Sequence, residues 1–150
     1  MYSDPEVTTF IEEHFAPVRV HVKENHDAFQ HLGTRFDAHW TPTILLIDKR
    51  GKEFHRIEGF LPRPDFMSQL KLGVARQAFD DQDYARAAPL FRQVVDEYRD
   101  TDAAAEALYW AGVAQYRATS DPSVLADTAR EFEERYPESS WAKKSSVWRT

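Results

Sequence analysis

The sequence predicts an α/β fold over residues 1–79 followed by all-α helical hairpins over residues 80–150. Three observations predict it. TILLID, residues 43–48, is a short apolar run closed by the turn Lys49-Arg50-Gly51, and the alternating stretch EFHRIEGF follows, which is the pattern of an antiparallel hairpin. Apolar residues on either side of that hairpin recur at helical spacing. From Asp81 onward no strand signal is left.

Taken in order, SDPEVTTFIEEHF reads as a helix: Ser3 and Glu6 have capping-box spacing and Pro5 suits the first turn. Asp4, near the start of that helix, is a capping and dipole partner. APVRVHV alternates Val18, Val20 and Val22 with Arg19 and His21, the signature of a strand with one apolar face. NHDAFQHLGTRF sets Phe29, Leu32 and Phe36 on one face of a short helix, weakened by Gly33. The continuous apolar run 43–48 suits a strand covered on both faces. After LPRPDF, a helix is expected from Arg63 or Pro64 to about Phe79.

In the second half, Tyr84, Ala87, Phe91, Val94 and Tyr98 form one helical stripe. Ala104, Leu108, Ala111 and Gln115 form another, and Leu125, Ala129, Phe132 and Tyr136 a third. Asp121-Pro122 and Tyr136-Pro137 punctuate them, and a short last helix is expected over 140–148. DEYRDTDAA and ERYPESSWA look like one phrase written twice, about one helical hairpin apart.

Several function classes are disfavoured. The net charge is -6 and no basic run tracks phosphates, so no nucleic-acid partner is expected. No apolar run reaches the ~18 residues of a membrane span, and no signal-peptide profile opens the chain, so a cytoplasmic location is expected if Met1 is the true start. Zero cysteines exclude a disulfide, a thiolate nucleophile and a thiolate metal site within these residues. His21, His26 and His31 are spaced five apart across different elements and show no ligand spacing; no metal and no cofactor is expected. Of the six histidines only His14 and His39 are expected on one side of the α/β part. The carboxylates follow helix exteriors, and no acid–base pair stands out, so no catalytic residue is assigned.

The order helix, strand, helix, Trp40-Thr41-Pro42-Thr43, apolar strand, turn, strand, helix resembles the thioredoxin-like family. Ser3, Asp4, Pro5, Val7, Phe15, Pro17, Val18, Val20, Val22, Pro42, Thr43, Asp48, Gly51 and Gly59 match a bacterial subgroup over about residues 3–75. The resemblance implies a cis Thr41–Pro42 bond, Thr41 and Pro42 presenting backbone to an extended substrate segment, and Trp40 walling the groove. It also implies a first strand, a central strand in the sheet between 19–22 and 43–48, and a redox Cys-x-x-Cys, none of which is in this sequence. The expectation is an incomplete thioredoxin-like domain, redox-inactive as it stands. Three explanations are open: an upstream segment with a cysteine or selenocysteine motif, a partner or second copy supplying the missing strand, or direct strand-to-strand closure. The longer parent would be a thiol–disulfide oxidoreductase acting on protein disulfides.

The helices beyond residue 79 resemble tetratricopeptide-type repeats, with Ala75, Ala78, Tyr84, Ala87, Phe91 and Val94 carrying the first unit and 104–136 a looser second. This implies an alternative, non-enzymatic role: a protein-binding module, and a homo-oligomer if exposed strand edges pair. Trp110, Trp141 and Trp148 are expected at an interface.

Overall fold

The computed structural model of the chain describes residues 3–149. The elements are α1 (Pro5–His14), α2 (His26–Phe36), β1 (Thr43–Ile47), β2 (Glu53–Glu58), α3 (Arg63–Asp80), α4 (Tyr84–Glu97), α5 (Asp102–Thr119), α6 (Ser123–Arg135), α7 (Ser140–Ser145) and a 3₁₀ turn over Ser146–Trp148. They group into two compact units, one up to Pro62 and one from Arg63. The expected boundary lay at 79/80; packing instead groups α3 with the helices that follow it.

In the first unit, α1 starts where Pro5 needs no N–H partner and the Asp4 carboxylate accepts from the amides of Glu6 and Val7 at 3.0 and 3.3 Å. The cap is therefore Asp4, not Ser3. α2 ends with Asp37 in the left-handed conformation and the Ala38 N–H reaching back to the Gly33 carbonyl at 2.9 Å. A Cβ on Gly33 would stand 2.9 Å from the Ala38 carbonyl oxygen, so the close return of the chain over this turn requires glycine.

The strand expected over 18–22 does not form. Residues 15–21 have no regular structure, and a turn follows in which the His21 ring nitrogen Nδ1 accepts from the amides of Lys23 and Glu24. Val18 is 86% exposed. Alternation offers a face, but a strand needs a neighbouring ladder, and the sheet of the described residues holds only β1 and β2. The helix-strand-helix-strand-strand-helix order is thus reduced to two helices, a hairpin and α3.

β1 and β2 pair antiparallel, Thr43 opposite Glu58, Ile44 opposite Ile57, Leu45 opposite Arg56 and Leu46 opposite His55, with a bulge before Ile47. The Asp48 carboxylate ties the turn by accepting from the amides of Arg50 and Lys52, both at 2.9 Å. Those bonds, the one from Lys52 first, hold its carboxyl below the usual range. Gly51, at φ +82°, lets the chain reverse. In β1 Leu46 is buried, Thr43, Ile44 and Leu45 are half-buried and Ile47 is exposed, so the strand is less covered than its continuous apolar run predicts.

The second unit is built on a continuous core. Phe91, Leu108 and Phe132 are fully buried among Leu72, Val94, Val95 and the alanines 75, 78, 87, 107 and 114. Small residues let the helices approach: the Cβ position of Gly112 on α5 lies 2.4 Å from Thr128 Oγ1 on α6. Cross-helix ion pairs ring this core, Lys71–Glu97, Arg76–Glu106 and Arg92–Glu131, each at 2.7 Å. Partly exposed pairs of this kind contribute only about 0–1 kcal/mol each, so packing dominates.

The doubled phrase folds alike twice. Tyr98 ends α4 and Tyr136 ends α6 in the same backbone region. The Thr101 and Ser139 hydroxyls donate to the carbonyls of Tyr98 and Tyr136 at 2.7 and 2.9 Å, and the next residue opens α5 or α7. The last helix is shorter than expected, α-helical to Ser145 and then 3₁₀ to Trp148.

Candidate functional site

The loop from Asp37 to Thr43 joins α2 to β1 and is anchored at both ends. At its start, the Arg56 guanidinium on β2 donates to the carbonyls of Phe36 and Asp37, the last acceptors of α2. A cation there also complements the negative end of the helix. Arg56 is itself held by Glu53, at 2.8 Å to each carboxylate oxygen, and by Glu58 at 3.2 Å. The hydrogen bond from Arg56 keeps the Glu53 carboxyl below its ordinary value, and the two carboxylates raise Arg56 further above its own.

At the far end, the Thr43 hydroxyl donates to the Trp40 carbonyl at 2.7 Å, and the Gly59 amide donates to the Pro42 carbonyl at 2.9 Å. The Thr41–Pro42 peptide is cis. Between the anchors Trp40 stands 72% exposed, and Thr41 is exposed beside it. Phe60, following Gly59, is 79% exposed, so the end of the hairpin carries two large unburied aromatics. The His39 ring nitrogen Nε2 is 2.8 Å from the Asp37 carboxylate at the rim of this loop.

The Pro42–Gly59 bond also sets the hydrogen-bonding parity of the sheet. Antiparallel partners alternate between bonded and non-bonded pairs. Ile44 opposite Ile57 and Leu46 opposite His55 are then bonded pairs, and the Asp48 N–H to Lys52 carbonyl bond at 2.8 Å keeps the same parity on β1. Thr43, Leu45 and Ile47 therefore turn their backbone groups away from β2.

Of the residues expected from sequence, the structure brings Trp40, Thr41, Pro42 and Thr43 into this one loop. Phe60 and Arg56 were missed. Phe60 sits beside a matched glycine, Gly59, which was the available signal; nothing in the sequence distinguishes Arg56 from other surface arginines. Trp110, Trp141 and Trp148 lie instead in an aromatic cluster of the helical unit. Tyr109 stacks on Trp148 at 4.7 Å between ring centroids and meets Trp110 and Trp141 at 5.4 and 5.2 Å, while Phe79 meets Trp110 edge-on at 5.2 Å. All three tryptophans are half-buried, in part by these ring contacts. The Trp110 indole N–H is buried and, among the described residues, has no hydrogen-bond partner.

His14 stacks on Phe10 at 4.1 Å and its Nδ1 lies 2.9 Å from the Phe10 carbonyl oxygen, a local contact within α1. Among the described residues no three His, Asp or Glu side chains come together as metal ligands, and no helix is long and apolar enough to cross a membrane.

No curated protein and no solved structure matches the chain. Residues 1–73 match the family model described as a thioredoxin-like domain, a stretch that contains the Trp40–Thr43 loop and both strands.

Proposed function

We propose that the chain serves thiol–disulfide exchange as a thioredoxin-family protein whose own contribution is to hold an extended polypeptide segment at Trp40, Thr41, Pro42 and Thr43. The observation that carries this reading is the anchored loop: an exposed indole beside the exposed Thr41. Trp40 gives area, and the Thr41 backbone gives hydrogen bonds to an extended chain. Exchange proceeds through a thiolate, and none of the 150 residues is a cysteine. The redox pair, cysteine or selenocysteine, is therefore supplied from outside these residues, in the complete form of a thiol–disulfide oxidoreductase.

Fluorescence anisotropy of a labelled, extended, cysteine-containing peptide tests the binding half. Trp40→Ala is expected to weaken binding about tenfold, the effect of removing an aromatic anchor. Equal affinity for wild type and Trp40→Ala would overturn the reading. In a dithiothreitol-driven insulin reduction assay the chain is expected to add nothing to the rate of dithiothreitol alone.

A second reading is favoured by the duplicated Tyr98 and Tyr136 turns and by the small residues at the helix crossings. On it, the helices from α3 onward are tetratricopeptide-like and hold a partner protein. Partner capture that survives Trp40→Ala assigns the partner to the helices.

A further inference from the structure

We infer that the free edge of β1 pairs with the same edge of a second copy, two-fold about Leu45, to give a continuous four-stranded sheet β2-β1-β1-β2. The hydrogen-bonding parity carries this inference. Thr43, Leu45 and Ile47 face outward, and among the described residues no group is hydrogen-bonded to their backbone N–H and C=O. Leu45 is the middle residue of the five-residue strand Thr43–Ile47. A two-fold axis through it sets Leu45 against Leu45 and Thr43 against Ile47, outward residue against outward residue, so every unpaired group of one edge meets a complementary group of the other. Were the middle residue an inward one, the same symmetry would leave both edges unbonded.

Charge selects β1 over β2. A symmetric pair places each residue opposite the copy of its mirror position, and like charges directly opposite are destabilising. On β2 the equivalent axis through an outward residue sets Arg56 against Arg56, and Glu53, Arg56 and Glu58 protect that edge. β1, Thr-Ile-Leu-Leu-Ile, carries no charge to forbid self-pairing. Ile47 is 40% exposed, and the pairing lays the Thr43 side chain of the second copy over it. The paired run ends at Thr43, so Trp40 and Thr41 stand beyond it.

A five-residue strand pair is smaller than a standard interface, which points to association on the order of micromolar rather than nanomolar. The test is a charge swap at the axis. Wild type is expected to sediment at twice its 17.4 kDa mass at about 100 μM and to dissociate on dilution. Leu45→Glu and Leu45→Lys are each expected to be monomeric at that concentration with unchanged helical circular dichroism. Mixed one to one, they are expected to regain the dimer, because opposite charges now face each other at residue 45. Hydrogen exchange adds a check without mutation: the amides of Thr43, Leu45 and Ile47 should slow as concentration rises, and those of Ile44 and Leu46 should not. A wild-type monomer at 100 μM, a dimer indifferent to both charges, or protection of the β1 amides that appears only on adding a different polypeptide overturns the inference.

Discussion

The two halves of this molecule treat their apolar residues differently. From Arg63 onward phenylalanines, leucines, valines and alanines meet one another in a single core. Among the described residues before it, the buried apolar side chains are Val7, Leu46 and Ile57, while Val18, Val22, Trp40, Ile47 and Phe60 are exposed. The hydrophobic content of the two segments is not the cause. A helix satisfies its own backbone and asks only that one stripe be covered by a neighbour nearby in sequence. A strand must find its hydrogen-bond partners elsewhere, and with two strands in the sheet the first unit meets that demand on one edge only. The difference separates a half that packs its apolar residues together from a half that leaves several of them exposed.

Mutations can break this comparison or sharpen it. The largest expected effect is in the helical core: Phe91→Ala removes a side chain only 1% exposed and should cost about 3–5 kcal/mol, read as a loss in the denaturant midpoint of the helical signal. A loss below about 1 kcal/mol would show that the second unit is as loosely packed as the first.

Gly112→Ala comes next. Its new Cβ meets Thr128 Oγ1 at 2.4 Å, and overpacking of about 1–3 kcal/mol should exceed the ~1 kcal/mol that alanine gains over glycine in a helix. The double variant Gly112→Ala/Thr128→Ala should recover most of the loss. A cycle showing simple additivity would place the strain elsewhere.

In the first unit, Arg56→Met should cost about 1–2 kcal/mol, since it unties the end of α2 from β2 and leaves two carboxylates without their cation. The same bonds give a pH dependence. The folded Glu53 carboxyl lies below its ordinary 4.5, so its contribution is complete above pH 4.5 and is lost as pH falls through the lower folded value. Arg56→Met should flatten that part of the pH–stability curve, measured by urea unfolding at pH 3 to 7. Glu97, lowered by its hydrogen bond from Lys71, contributes with the same sign in the second unit.

The smallest effect on stability belongs to the residue expected to matter most for binding. Trp40→Ala should move the unfolding midpoint by no more than about 0.5 kcal/mol while weakening peptide binding about tenfold. A large stability loss at Trp40 would make it a packing residue and erase the contrast between the halves.

Much of this was legible in the sequence. The hairpin, its turn and α3 follow from a short apolar run, a glycine and a helical restart; the doubled phrase foretold two turns that fold alike. The Trp40–Thr43 loop was visible because proline at the mouth of an apolar strand is an uncommon signal. The strand at 18–22 was misread because alternation describes a face and not a partner. Trp110, Trp141 and Trp148 are expected at an interface because of their size, and the ring contacts they make with Phe79 and Tyr109 could not be read from the sequence. Arg56 was invisible: its role depends on where α2 ends in space.

By itself, then, the sequence determined what is local: capping by Asp4, the reversal at Gly51, the helical stripes and the absence of any thiol chemistry within these residues. These depend on dihedral preferences, on spacing along one element and on composition. The tertiary structure alone decided which strands pair, which edge is left open, where the boundary between units falls and which aromatics are covered. Those depend on partners distant in sequence, and no periodicity encodes a partner.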